Sequence, residues 1–237
     1  MTRESPLQKI IPTGCGSLDE QLRGGLLEGN IVLVYGEAET GKTTLAIQCA
    51  ANCARMDYKT IFIDCDNTFF PRRMAQIVAD DFEALASQII LMKPEDFEQQ
   101  TFVIDRLSEY ISRKVGLIVV DTVTGLYRER LGDDMKETFA LNRELNRQMA
   151  CLAQITKTQK VASLIVSQVR SVVFEERELV QPVATRVLKF WADTIISLKP
   201  TAKANIIKAT MKTHTDKKPA KPIFLKIEEK GLHDFRR

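Results

Sequence analysis

Four apolar runs, each closing abruptly on a polar residue, set the rhythm of the chain. Ile31-Val32-Leu33-Val34-Tyr35 ends at Gly36, and Ile61-Phe62-Ile63 ends at Asp64-Cys65-Asp66. Leu117-Ile118-Val119-Val120 ends at Asp121, and Leu164-Ile165-Val166-Ser167 ends at Gln168. Runs that are continuous rather than alternating suit strands covered on both faces, as in a parallel sheet. Helical spacing fills the intervals. It predicts helices from Thr43 to Met56, from Pro71 through Val78, from Pro94 to Lys114 and from Met135 to Lys157. The third of these turns Phe97, Val103, Ile104, Leu107 and Ile111 inward, and the fourth Leu141, Leu145, Met149, Leu152 and Ile155. Ile89–Met92 reads as a short strand, while 122–134 and 169–181 read as polar loops. A short helix near Val183–Lys189 precedes three strands of period 2, Trp191–Leu198, Asn205–Lys212 and Ile223–Ile227. The order predicts an α/β fold, a mostly parallel sheet flanked by helices with antiparallel strands added at the C-terminal edge. Residues 1–13, polar with two prolines, read as an N-terminal arm, and 14–237 as a single domain that opens on a short helix capped by Ser17.

Composition narrows the class. The chain has 237 residues, 44% hydrophobic and 27% charged, which suits one large α/β domain with a packed core. No apolar run approaches the roughly 18 residues of a membrane span. Met1–Pro6 is not followed by the apolar stretch of a secretory signal. The five cysteines (15, 49, 53, 65 and 151) are odd in number and lack C-x-x-C spacing, which argues against a disulfide framework or zinc site and suits a reducing cytoplasm. Net charge is only +3, but residues 203–237 hold ten basic against four acidic side chains. A basic C-terminal segment on a mildly acidic body implies a polyanionic or acidic partner, or merely a solvated face.

Candidate chemistry concentrates at the polar strand exits, because ligands of doubly wound sheets gather at the carboxyl ends of strands. Gly36-Glu37-Ala38-Glu39-Thr40-Gly41-Lys42-Thr43, followed by Thr44, stands between a strand and a helix. In that context G-x-x-x-x-G-K-T is a P-loop, whose backbone N–H groups and helix N-terminus cradle phosphates. Lys42 would reach the β- and γ-phosphates of ATP, and the Thr43 hydroxyl would ligate Mg²⁺. Asp121 is the natural second metal group, although a carboxylate at a strand exit can also anchor a loop. Asp64 and Asp66 compete as the base for an attacking water, since alternation places both on one side. Gln168 is a candidate γ-phosphate sensor, or a side chain that satisfies loop backbone.

These residues resemble the RecA/RadA recombinase ATPase core, most closely its short archaeal paralogues that lack an N-terminal helical DNA-binding domain. The match runs from about Thr13 to Phe235 through Ser17-Leu18-Asp19, Gly24-Gly25, the P-loop, Phe62–Phe69 with Pro71 and Arg73, Ile118–Arg128, Val166–Val169, Gln181–Ala184 and Glu229–Leu232. The resemblance implies a catalytic set of Asp66 (rather than Asp64), Lys42 and Gln168, with Mg²⁺ at Thr43 and Asp121. It implies nucleotide contacts from Gly36 to Thr44 and a guanidinium at Arg73 stacked on adenine. It makes the loop after Asp121, with Arg128 and Arg130, the first DNA-facing loop. The second follows Gln168 and includes Arg170. Lys212, His214, Lys217 and Lys218 are candidates for contact with single-stranded DNA or a neighbouring protomer. Implied partners are DNA, a recombinase of the RadA type and further copies of the chain, with no membrane.

Three departures set expectations. Asp66 and Asn67 stand where the family has Glu and Gly, and a carboxylate about one ångström short can cost about 10²-fold in rate. The second loop carries Glu175, Glu176 and Glu178 against Arg177, a poor match for phosphate backbone. Glu39 brings a further carboxylate to the loop expected to hold a triphosphate. Together with the lack of a Phe-x-x-Ala segment in the arm, these features predict ATP binding with slow hydrolysis rather than autonomous filament formation.

Overall fold

The computed structural model describes residues 8–132, 134–174, 177–182, 184–213 and 219–235. In chain order the elements begin with β1 (Ile10–Ile11), α1 (Gly16–Gln21), β2 (Leu26–Leu27), β3 (Ile31–Gly36), α2 (Lys42–Arg55) and β4 (Lys59–Asp64). Next come α3 (Pro71–Val78), α4 (Phe82–Ala86), β5 (Ile89–Met92), α5 (Phe97–Asp105), α6 (Leu107–Tyr110) and β6 (Val115–Asp121). The chain continues with α7 (Gly125–Glu129), α8 (Met135–Gln159), β7 (Ala162–Phe174), β8 (Arg177–Pro182) and α9 (Thr185–Trp191). It ends with β9 (Thr194–Pro200), β10 (Ile206–Thr213), β11 (Ile223–Glu228) and β12 (Gly231–Asp234).

One sheet of ten strands runs β12-β11-β10-β9-β3-β7-β6-β4-β5, with β8 paired to β7 off that path. From β9 to β5 the neighbours are parallel, and β9 through β12 are antiparallel. Alternation divides the core into two layers. Val32, Val34, Phe62, Leu117, Val119, Leu164 and Val166 pack beneath α2. Ile31, Leu33, Ile61, Ile63, Ile118, Val120 and Ile165 pack against α5, α8 and α9 on the opposite face. Each fully buried side chain of this size contributes about 1.5–3 kcal/mol, and burial on both faces is why the runs are unbroken by polar residues.

Several local expectations are corrected. The helix predicted over 94–114 is two helices that meet at Arg106, where Asp105 accepts from Arg147 of α8 at 2.7 Å, a tertiary contact that periodicity does not register. Within 122–134 the short helix α7 forms. The segment 169–181, expected as a loop, is largely a hairpin in which Val169 pairs with Pro182 and Phe174 with Arg177; Glu175 and Glu176 lie outside the described residues. Its β-branched content outweighs its charge. Ser17 does not cap α1; its hydroxyl and N–H both donate to Asp234. The arm contributes β1, which pairs with β2. No strand was expected at 231–234. There Gly231, at φ +115°, turns the chain into β12, and a Cβ on it would lie 2.3 Å from Gln48 Oε1.

Gln48 explains how the chain ends are held. Buried on α2, it donates to the carbonyls of Thr13 at 2.9 Å and Leu232 at 3.1 Å, and accepts from the Leu232 N–H at 2.8 Å. The helix that follows the P-loop is thus bonded to both the N-terminal segment and β12. Among the described residues no helix is long and apolar enough to cross a membrane, and all five cysteines are free.

Candidate functional site

Strand register assembles the site. Gly36 on β3 is the partner of Gln168 on β7, and Asp64 on β4 is the partner of Asp121 on β6. The four polar exits therefore open on one crevice, with Asp66 two residues beyond Asp64.

The P-loop bridges β3 and the N-terminus of α2. A Cβ at Gly36 would lie 2.4 Å from the Leu198 carbonyl oxygen, so only glycine fits between the loop and β9. Gly41, at φ +82°, caps α2 in the left-handed conformation. The loop folds around one carbonyl: Glu37 O accepts from Thr40 Oγ1 at 2.8 Å and from Lys42 Nζ at 2.6 Å. Lys42 is buried, and this lowers its pKa against the opposing pull of Asp121, Asp66 and Glu37. Thr43 and Thr44 occupy the first turn of α2, half-buried. Ala38 and Glu39 are exposed, and Glu39 holds φ +62°.

Asp121 is 0% exposed, and neither carboxylate oxygen has a hydrogen-bond partner. Burial pushes its pKa up to about 7; Thr43 and Lys42 pull it down, while Asp66 and Asp64 push it further up. A buried carboxylate without a donor is costly unless a cation joins it. The donor set of one carboxylate and one threonine hydroxyl fits Mg²⁺, which keeps most of its water and binds through few protein ligands plus phosphate. No group of three or more His, Cys, Asp or Glu that could hold a metal by itself occurs among the described residues.

Hydrogen bonds separate Asp64 from Asp66. Asp64 is buried and anchors the turn after β4, accepting from the N–H groups of Thr68 at 2.8 Å and Phe69 at 3.0 Å, with Lys93 at 3.7 Å. Asp66 instead faces a cavity of about 440 Å³, which Gly125, Arg128 and Gln168 also line. Its Oδ2 accepts from Thr122 Oγ1 at 2.7 Å and from Gln168 Nε2 at 2.6 Å. Gln168 in turn accepts from Arg128. Thr122 and Gly125 were not singled out in the sequence. A Cβ at Gly125 would fall 1.6 Å from Asp66 Oδ1, so α7 packs directly on this carboxylate. Both stand inside the Ile118–Arg128 run that carries the family resemblance, which assigns neither a role.

Arg73 donates from NH1 to the Glu229 carbonyl and from NH2 to the Glu228 carbonyl, both at 2.8 Å, and to Gln76 at 3.1 Å. These bonds fix the guanidinium edge to the turn between β11 and β12 and use none of its flat faces. The basic residues are dispersed. Arg130 pairs with Glu98 and, at 3.6 Å, with Glu137. Lys212 is exposed on β10. The Arg170 side chain, His214, Lys217 and Lys218 lie outside the described residues.

The family described as Rad51 matches residues 5–235. The chain is 32% identical over 230 residues to the DNA repair and recombination protein RadB of Thermococcus gammatolerans, spanning 95% of this chain and 99% of that one. It is 31% identical over 226 residues to the protein of the same description in Methanobrevibacter smithii, spanning 94% of each. A crystal structure described as the RadB recombinase superposes with a TM-score of 0.80 at 27% identity, covering 96% of this chain and all of that one. With nearly its whole length matched in sequence and in fold, the chain belongs to the Rad51 family and is RadB-like.

Proposed function

We propose that the chain is an ATP-binding accessory protein of homologous recombination and DNA repair. It acts in the cytoplasm on DNA, chiefly single-stranded, or on a recombinase of the RadA type, singly or as a homo-oligomer, and hydrolyses ATP weakly. The relatives' description as DNA repair and recombination proteins supports the pathway. The observation that carries the nucleotide reading is Asp121, whose two buried oxygens lack donors beside Thr43 and Lys42.

When bound, Mg²⁺ would neutralise charge on the β- and γ-phosphates. Lys42 moves from the Glu37 carbonyl to the phosphate oxygens, and the N–H groups of the loop hold them in place. Thr43 and Asp121 would hold the cation. Asp66 accepts the proton of the attacking water, and Gln168 senses the γ-phosphate. Gln168 and Thr122 both donate to Asp66 Oδ2, so a γ-phosphate that draws Gln168 towards it would release one bond on that oxygen. ATP therefore acts first as a conformational ligand that reorders the segments after Asp121 and Gln168.

The test is calorimetric titration of ATP with and without Mg²⁺, on the parent chain and on Asp121→Asn. Tight binding that depends on both Mg²⁺ and Asp121 is expected, and binding indifferent to both would remove the reading. ATPase rate and particle size, with and without single-stranded DNA, separate it from its competitors. A filament-forming recombinase would show strong DNA stimulation and long assemblies, and a regulator unrelated to DNA would ignore the oligonucleotide.

A further inference from the structure

Where α5 and α8 face each other, two polar side chains interrupt an apolar contact. On α5 the buried positions are Phe97, Gln100 and Ile104, and on α8 Gln148 is buried beside Leu145, Met149 and Leu152. The two glutamines meet there, each 0% exposed, with Gln100 Nε2 donating to Gln148 Oε1 at 2.8 Å. Burying two amides between helices costs free energy that a pair of apolar side chains would not. What the amides add is direction.

The two ends of their chain of hydrogen bonds set that direction. At one end Gln100 Nε2 also donates to the Val123 carbonyl, at 3.1 Å. At the other, Gln148 Nε2 donates to Thr101 Oγ1 at 2.7 Å, and Thr101 donates to Glu144 at 3.2 Å. Arg147 holds the Glu144 carboxyl below the ordinary carboxylate range, and it grips Asp105 through two bonds, at 2.7 and 3.0 Å. A carbonyl and an ionised carboxylate can only accept, so each amide and hydroxyl between them has one orientation. A flipped Gln100 would set its oxygen against the Val123 carbonyl. In the orientation observed, Gln100 Oε1 is buried without a partner, so its two donors alone fix the side chain.

Val123 stands amid the contacts of Asp66. Thr122, one residue earlier, donates to that carboxylate, and Gly125, two residues later, packs against it. The Val123 N–H donates to the Val166 carbonyl of β7 at 3.0 Å. The segment is therefore pinned to β7 through Val123 N–H and to α5 through Val123 C=O. We infer that Gln100 is a positioning residue, which through the Val123 carbonyl fixes Thr122–Gly125 against Asp66. Gln148 and the ion pairs of Arg147 steady Gln100 from behind. The consequence for hydrolysis rests on Asp66 as the base; the placement of the segment does not.

The experiment follows amide exchange in the nucleotide-free full chain. Exchange at Val123 and Gly125 is taken relative to Val119 and Val120 within β6, so that a uniform loss of stability cancels. Gln100→Leu removes the donor to Val123, and the ratio should rise about tenfold, the effect of one buried hydrogen bond. Gln148→Leu deprives Gln100 of one partner but leaves its bond to Val123, so the ratio should stay within about threefold of the parent's. At saturating Mg·ATP, turnover should fall in Gln100→Leu with KM unchanged, because no P-loop residue is touched. A parental exchange ratio in Gln100→Leu overturns the proposal. So does an equal rise in both variants, which would make the pair packing alone. Asp66→Ala is the control for the chemistry. If it turns over ATP as the parent does, the reading of Asp66 as the base fails while the exchange ratios still decide the placement. If it does not, parental turnover in Gln100→Leu overturns the positioning of Asp66. Should leucine at 100 prevent folding, the parent decides: the Gln100 side-chain amide protons should exchange as slowly as the Val123 N–H, and rapid exchange overturns the proposal.

Discussion

Replacing Asp121 with asparagine is expected to stabilise the metal-free chain while it abolishes the response to Mg·ATP. The carboxylate is fully buried without a hydrogen-bond donor, and its pKa rises from 3.8 to about 7. At 1.36 kcal/mol per unit, holding it ionised costs about 4 kcal/mol at pH 8. A carboxyl with a raised folded-state pKa binds more protons folded than unfolded between about pH 4 and pH 7, so stability falls as pH rises through that window. Asparagine removes the fall. It also removes a negative charge near Lys42, which offsets part of the gain, though Asp66 and Glu37 still face that lysine. A net gain of about 1–3 kcal/mol at pH 8 follows, which moves the urea midpoint by about 1 M or less. The assay is urea denaturation in chelator at pH 5, 6, 7 and 8, repeated with Mg·ATP. The gain should shrink towards pH 5, and only the parent should gain from Mg·ATP. An asparagine variant less stable than the parent at pH 8, or a difference that does not vary with pH, would refute the claim that ionised Asp121 is held at a cost.

Asp66→Glu restores the methylene by which the carboxylate falls short and is expected to raise ATP turnover by up to about 100-fold; a rate at or below the parent's counts against Asp66 as the base. Glu39→Gly relieves a left-handed φ of +62° and should stabilise the fold by up to about 1 kcal/mol in denaturation experiments. Because Glu39 is exposed, ATP affinity should change little, and a large gain would mean that the carboxylate faces the phosphates after all. Gly36→Ala drives a methyl into the Leu198 carbonyl and should cost about 1–3 kcal/mol; parental stability would show that β9 or the loop yields freely. Gln48→Leu keeps the volume but strands the Thr13 and Leu232 backbone groups. It should cost several kcal/mol and expose the C-terminal strand to amide exchange first, an order that uniform loss of protection would contradict.

What could be read from the sequence follows from how each feature is encoded. A strand buried on both faces must be continuously apolar, and a site at its end must break that run with a polar residue. Gly36, Asp121 and Gln168 were therefore visible as punctuation before any fold was known. Asp64 and Asp66 were not separable in this way, because alternation gives them the same side. The distinction lies in bonds from Thr68 and Phe69 to Asp64, which belong to the turn rather than to the strand. The hairpin at 169–182 is hidden by its charged residues, which suggest a loop, while its β-branched residues favour paired strands. Gln48 is marked in the sequence as a polar side chain within the buried Ala-Ile-Gln-Cys-Ala-Ala run of α2.

The same contrast bears on what the site can do. Under the proposed function, the residues assigned to phosphate and metal are local in sequence or are punctuation at strand ends, so they are legible. The residues assigned to hydrolysis are not local. Asp66 touches Thr122 and Gln168 through hydrogen bonds and α7 through the bare face of Gly125, three contacts from two later strand exits. Gln168 adds a fourth link, to Arg128 on α7. A carboxylate held from so many sides is well ordered, and with two donors on Oδ2 it has only Oδ1 to offer a water molecule unless one of them moves. A short side chain and a closed ring of contacts act in the same direction. Under the proposed function both favour a protein that holds ATP longer than it consumes it, and lengthening Asp66 alone tests how much of that restraint lies in reach rather than in the ring.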